Sequence, residues 1–343
     1  MVPKKDITIY DLAVKLNISP TTVSRGLKDH PAINKATKKK ISDLAEEMGY
    51  RSNLFARNLR EQNSRTIGVI VPRLNSHFTS TVIAGMENVA NKAGYNLIIS
   101  QSLELHKKEV ANAKTMFNNR VDGLLISLAY DSDDINHFES FFKKNLPIIF
   151  FDRVAGNNKF TNIIIDNRKA AYEATMHLIN QGCKKIVHIT APSKRNVYID
   201  RIQGYKEALE VANITFENSN IIKGNLSMEA GTDAAEAILN MKAMPDSVFA
   251  ANDSAAVGCM IALKKAGIRI PEDIAFVGFN NDSICQVIEP NLTTINYHGY
   301  QMGETAAQHL IDHLNGVANL KATNLIVLRS ELIIRPSSFK NPA

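Results

Sequence analysis

Residues 18–30 read ISPTTVSRGLKDH. Ser19, Thr21, Thr22 and Ser24 carry short hydroxyls there, and Arg25 carries a guanidinium. Small hydroxyl side chains can approach flat hydrogen-bonding edges closely, and a guanidinium forks onto a phosphate or a pair of acceptors. A second set of polar residues is spread along the chain. Asn75, Ser76, His77 and Phe78 follow TIGVIVP, Asp152 and Arg153 follow PIIFF, and Asn252 and Asp253 follow SVFAA. Asn280, Asn281 and Asp282 follow AFVGF, while Arg201 opens a helix after a loop containing Tyr198 and Asp200. Amides, carboxylates and a guanidinium suit the holding of a small polar ligand. A lone Asn or Asp is usually a turn or cap residue. The same character after four separate apolar runs argues for a common site.

The elements that must position these residues fall into two series. In the first, Thr8 and Asp11 fit a Ser/Thr-x-x-acid helix start, with Ile9, Leu12, Ala13 and Leu16 at helical spacing behind it. Asn17 closes that helix, Ser19 caps the next, and Pro20 takes the first helical position, where its missing N–H costs nothing. Val23 and Leu27 supply the second helix's buried side. A third helix follows Asn34 with Ile41, Leu44, Ala45 and Met48 as its stripe and Gly49 as its stop. Three short helices with a tight turn between the first two form a helix-turn-helix plan, in which the start of the second helix enters the major groove of DNA. Lys38, Lys39 and Lys40 suit phosphate contact near the third helix.

From Thr66 the pattern changes. TIGVIV, NLIIS, DGLLIS and PIIFFD are short apolar runs with helical stretches between them, notably 79–93 and 107–119. KIVHIT, DSVFAA and DIAFVGF repeat the alternation after Asn162. Strands alternating with helices imply parallel sheets covered on both faces, and two such series imply two α/β lobes. Ligands in such sheets bind beyond the C-terminal ends of the strands.

Charge separates the same two parts. The chain has 343 residues and a formal net charge of +6, and residues 1–65 alone carry 13 Lys+Arg against 7 Asp+Glu. The basicity therefore belongs to the helical head, which points to a nucleic-acid partner. Cys183, Cys259 and Cys285 form neither a CxxC pair nor a disulfide framework. With no apolar run long enough for a bilayer and no signal-peptide pattern at MVPKKDITIY, the composition favours a reducing cytoplasm and no membrane partner.

TIYDLAVKLNISPTTVSRGLK resembles the N-terminus of the LacI/GalR family of bacterial transcription regulators. The A-T-x-x-x-I segment and the closing G-Y-x-x-N (Gly49, Tyr50, Asn53) continue the likeness. The resemblance implies that Pro20 and Thr21 read bases, that Thr22, Ser24 and Arg25 add base or phosphate contacts, and that Tyr10 touches the backbone. Thr8, Ser19 and Asn53 complete the expected DNA-facing set. Residues 53–65 then correspond to a hinge helix that pairs with its twin and inserts a leucine between base steps, with Ala56 and Leu59 at the matching positions.

The body resembles the family's regulatory core, which is similar to periplasmic sugar-binding proteins, through RVDGLLI, FDRV, RIQGYKEAL, ANDSAAVG, GIRIPEDIAFVGF, PNLTTI and MGETAAQHL. By position Ser76, Phe78, Asp152, Arg201, Asn252 and Asn280 would line the effector cleft, with Arg201 foremost. Much of the family has Asp where this chain reads Asn280, so the charge beside Arg201 is lost and an acidic or phosphorylated sugar becomes attractive.

The expected architecture is an all-α helix-turn-helix domain over 1–52, a hinge over 53–65, and a two-lobed, periplasmic-binding-protein-like α/β core over 66–343. Lobe one is placed at about 66–164 and 294–325, lobe two at about 165–293 and 326–343, and the dimer face near 79–93 and 228–266. The expected partners are a pseudo-palindromic DNA operator, a second copy of the chain, and a small effector, carbohydrate before purine or nucleoside. A repressor is expected over an activator, and neither cofactor nor metal is expected. Of the histidines, His309 and His313 stand four apart without an acidic third ligand, which favours a solvated face. A transport sugar-binding protein would lack the basic head, and an enzyme would be expected to show a GxxxxGK loop, a GxSxG elbow or a zinc motif, none of which occurs.

Overall fold

The computed structural model describes residues 7–50, 63–156, 159–192 and 194–340. The expected hinge residues Asn53, Ala56 and Leu59 lie outside them. The chain divides into two compact units, residues 1–64 and 65–343.

The first unit holds α1 (Ile9–Leu16), α2 (Pro20–Leu27) and α3 (Lys35–Glu47). Thr8 and Asp11 form a reciprocal capping box: the Thr8 hydroxyl accepts from the Asp11 N–H, and the Asp11 carboxylate accepts from the Thr8 N–H at 2.7 Å. Each satisfies a helix-end group that would otherwise have no partner. Asn17 takes a left-handed conformation (φ 51°) that ends α1, and the Ser19 hydroxyl caps α2 by accepting from the Thr22 N–H at 3.0 Å. Leu12, Ala13, Val23, Ile41, Leu44 and Ala45 form the core. Leu27, expected inside, is 38% exposed, and Gly26 takes the buried place. A Cβ at Gly26 would stand 2.4 Å from Ile41 Cδ1, so the Ile41 side chain occupies the space that the glycine leaves between α2 and α3.

The second unit contains two six-stranded sheets. The first comprises β1 (Thr66–Val71), β2 (Asn96–Gln101), β3 (Gly123–Ile126), β4 (Ile148–Phe151), β5 (Thr161–Ile165) and β11 (Leu325–Leu328), in the order β11-β5-β4-β3-β1-β2. All its pairings are parallel. The second comprises β6 (Ile186–Thr190), β7 (Ile221–Lys223), β8 (Ser247–Ala250), β9 (Ala275–Asn280), β10 (Thr293–Asn296) and β12 (Glu331–Ile333), in the order β12-β10-β9-β8-β6-β7. Its edge strand β12 runs antiparallel to β10. The central strands are apolar on both faces, as burial between helix layers requires.

The covering helices are α4 (His77–Lys92), α5 (His106–Asn118), α6 (Glu139–Lys143), α7 (Asn167–Asn180), α8 (Asn196–Val211), α9 (Met228–Leu239), α10 (Asp253–Lys265) and α11 (Gly299–Leu314). They pair closely as α4 with α11, α7 with α8, and α9 with α10. A Cβ at Gly303 would sit 1.9 Å from the Val82 carbonyl oxygen, so α4 and α11 meet backbone to backbone. The chain passes between the sheets three times. The passages lie within about four residues of the expected boundaries near 294 and 325, with β10 in the second sheet and β11 in the first. Each strand completes its ladder before the chain changes sheet, so the passages follow Asn296 and Leu328.

Candidate functional site

On the helical unit, Thr21 and Arg25 of α2 are exposed, Pro20, Thr22 and Ser24 are partly so, and Val23 and Gly26 face inward. Thr8, Ser19 and Tyr10 are also exposed, Tyr10 to 66%. One face of α2 thus builds the core while the rest offers hydroxyls and a guanidinium. Some of these groups already have duties: the Ser19 and Thr22 hydroxyls stand 2.8 Å apart at the cap. Lys38 pairs with Asp29 at 2.7 Å and donates to its carbonyl, which ties the turn after α2 to α3 and leaves Lys39 and Lys40 as the exposed members of the basic run.

In the second unit a cavity of about 300 Å³ lies between the two sheets, at the C-terminal ends of the strands. Ser76, Phe78, Asp152, Arg201, Asn252 and Asn280 all line it. Ser76 and Asn252 are helix caps: Ser76 accepts from the Thr79 N–H, and Asn252 accepts from the Ala255 N–H while its amide donates to the Leu226 carbonyl. The turn-and-cap reading holds for these two, and any ligand would meet side chains already partly engaged.

Arg201 is buried to 4% exposure. Its Nε donates to Asn167 Oδ1 at 2.9 Å and its Nη1 to the Ala251 carbonyl at 2.6 Å, and the guanidinium carbon lies 3.5 Å over the Phe279 ring. Nη2 has no partner among the described residues, and no carboxylate forms an ion pair with Arg201. Burial pulls its pKa down from the ordinary arginine value. This is a fixed cation held by neutral groups. Asn280 (φ 117°) also has a side-chain amide without a described partner. A non-glycine residue at that φ costs of order 1–3 kcal/mol and persists only where surrounding structure holds it.

Asp152 (φ 58°) accepts from the Tyr297 hydroxyl at 2.8 Å. Burial, then the nearby Asp152 charge, raises the Tyr297 pKa well above its usual range, so the phenol keeps its proton and donates. Tyr297 also stacks on Phe78 with ring centroids 4.4 Å apart. The residue after β10 was absent from the expected site, although the strand-end rule points to it. Arg153 was noted beside Asp152 but not given a role. It donates to Glu104 at 2.7 Å and to the Tyr198 hydroxyl at 2.9 Å, and it lies 4.3 Å over the Tyr130 ring. Glu104, Tyr130 and Arg153 come from the first lobe and Tyr198 from α8 of the second, so this cluster spans the cleft.

Deeper in the second lobe, Asp253 Oδ2 accepts from the Asp282 N–H at 2.8 Å, and its Oδ1 accepts from the Thr294 hydroxyl at 2.7 Å. Burial, with the neighbouring Asp253 charge, pushes the Asp282 pKa up to about 8. Hydrogen-bond acceptors, a partnerless guanidinium edge and a free amide together can hold a polyhydroxylated or anionic small molecule. Among the described residues no helix is long and apolar enough to cross a membrane.

Comparison with known proteins places both units. Residues 8–53 match the model for bacterial regulatory proteins of the lacI family, and residues 64–330 match that for periplasmic binding proteins and the sugar-binding domain of the LacI family. The HTH-type transcriptional repressor CytR of Escherichia coli (strain K12) is 32% identical, with 96% of each chain covered. The Lac repressor dimer bound to operator and the anti-inducer ONPF is 25% identical with a TM-score of 0.85, covering 97% of this chain and 99% of that one. A LacI family regulator from Enterococcus faecium, solved with bound ribose, is 28% identical with a TM-score of 0.71, covering 81% of this chain and all of that one. The relatives are regulators and not enzymes, and the chain belongs to the LacI family of DNA-binding transcription regulators controlled by small molecules.

Proposed function

We propose that this chain is a repressor that binds a pseudo-palindromic operator as a homodimer and is controlled by a sugar or sugar derivative in the interlobe cleft. The observation that carries the effector class is Arg201. It is a buried guanidinium with one edge unpartnered and no carboxylate in ion-pair contact among the described residues. Such a group forks onto vicinal hydroxyls or an acidic substituent, so sugar acids and sugar phosphates rank first. Asp152 and Asn280 would take further hydroxyls. The Phe78–Tyr297 stack argues against a purine or nucleoside, because the two rings cover each other and are 8% and 3% exposed, leaving little face for a base.

On DNA, Pro20, Thr21, Thr22, Ser24 and Arg25 would read one half-site per protomer, with Thr8, Tyr10 and Ser19 on the backbone. The dimer face would use α4 and the α9–α10 pair, and the hinge residues Asn53, Ala56 and Leu59 would enter the minor groove. The test is a fluorescence-anisotropy titration of the full chain against its own promoter, at two salt concentrations, with neutral sugars, sugar acids, sugar phosphates and nucleosides. Selective binding shifted by an acidic or phosphorylated sugar is the expected result. A shift by nucleosides alone would replace the effector class. Binding equal on random DNA and lost with modest salt would leave only a basic polyanion-binding head.

A further inference from the structure

Outside the cleft's own residues, His106, Glu109 and His137 converge in the first lobe. One ligand-type atom from each lies within 4.8 Å of the others. His106 and Glu109 stand on the first turn of α5, and His137 comes from the short 3-10 turn before α6. Only the fold brings the third residue to the first two. Glu109 is fully buried, and its carboxylate accepts from the Ala129 N–H and from the Ser132 hydroxyl, both at 2.7 Å. The same hydroxyl lies 3.1 Å from His106 Nδ1, so the three side chains share one polar focus.

His137 is the informative member. Its side chain is 4% exposed and Nε2 lies at ion-pair distance, 3.0 Å, from Glu109 Oε1, although neither ring nitrogen meets hydrogen-bond geometry among the described residues. A buried imidazole normally satisfies at least one nitrogen. Close approach to a carboxylate oxygen without hydrogen-bond geometry is how two ligands of one cation stand. The rings agree: the His106 and His137 centroids are 4.9 Å apart at 88°. Two imidazoles at about 2.05 Å from a tetrahedral zinc would have centroids roughly 5 Å apart. Phe138 packs on His137 at 4.0 Å and helps fix its ring, while His106 is partly exposed and gives a way in.

We propose that His106, Glu109 and His137 form a binding site for a divalent transition-metal ion, with Zn²⁺ as the occupant that a two-imidazole, one-carboxylate set favours. Arg195, at the start of α8 in the second lobe, donates to the Ser132 carbonyl, so the loop that touches the metal ligands is also held from across the cleft. This proposal does not depend on which effector the cleft takes.

The test uses the full chain without an affinity tag, stripped with chelator and dialysed against Zn²⁺ alone. The expected result is uptake of one equivalent per chain, with affinity roughly tenfold or more weaker in His106→Ala and in His137→Ala, since losing even an outer partner of a metal costs that much. Because the His137 side chain is buried, its variant tests folding as well as binding, so the partly exposed His106 carries the decision, with far-UV circular dichroism as the fold check. Substituted Co²⁺ should show d–d bands without a thiolate charge-transfer band. Zinc affinity unchanged in His106→Ala overturns the proposal. So does a wild-type chain that retains no zinc, loss of uptake in His309→Ala/His313→Ala alone, or a thiolate band.

Discussion

At the scale of single residues, the molecule separates groups that hold the fold from groups left to act. Ser76, Asn252 and Ser19 look like binding residues in the sequence and serve as helix caps in the structure. Arg201 differs because its hydrogen-bond partners are neutral and one nitrogen is unengaged. Arg201→Lys should therefore weaken effector binding by about ten- to a hundredfold, the loss expected for a charge-assisted hydrogen bond of about 1.5–3 kcal/mol. Operator affinity without effector should stay as it was, and both follow from one anisotropy series. Asp282 makes a different statement. Its folded pKa of about 8 lies above the ordinary value of 3.8. Below the ordinary value both folded and unfolded chains hold the proton. Between the two values only the folded chain holds it, so this contribution to stability is present at low pH and lost as pH rises through about 8. Asp282→Asn should flatten that decline, and melting temperatures at either end of the window will show it. A variant with the same decline as the parent chain would remove Asp282 from the account.

At the scale of elements, the periodicities carried far. The helices at 77–92 and 106–118 and the strands after each turn signal follow from patterns that burial dictates. The hydroxyl-rich face of α2 was readable because Val23 marks the opposite side. Other features were hidden because they depend on what a residue meets. Gly26 replaces Leu27 in the core only because Ile41 arrives there. Tyr297 joins Asp152 across a long stretch of chain, and Glu104, after β2, meets Arg153, after β4, only once β1 and β3 have paired between them. Spacing along the sequence does not encode these meetings. The α4–α11 contact leads to a prediction of its own. Gly85 faces the Tyr300 carbonyl as Gly303 faces that of Val82, with room for no Cβ at either. Gly85→Ala should cost about 1–3 kcal/mol, because the obstructing atoms are backbone and must move as a pair of helices. Urea denaturation should show the midpoint falling with an unchanged slope. In the first unit, Ser19→Ala should cost about 1 kcal/mol through the lost cap and weaken operator binding with it.

At the scale of the whole molecule, charge and chemistry are divided between units. The helical head carries the net charge of the chain, and the two-sheet core is balanced and holds the polar-lined cavity. If effector changes operator affinity by some factor, operator must change effector affinity by the same factor. Calorimetric titration of effector into the free chain and into its operator complex should return equal coupling free energies. Unequal values would mean that a third species, such as a change of assembly, enters the cycle.

The order of strands in the sheets also bears on how the protein is made. Among the described residues the core of the helical head is built from residues 7–50, whereas the first sheet needs β11 and the second needs β12, both beyond residue 324. Translation runs at roughly 5–20 residues per second, so the core gains its last edge strands on the order of tens of seconds after the head emerges. During that interval each nascent chain carries a finished reader of DNA and no finished controller.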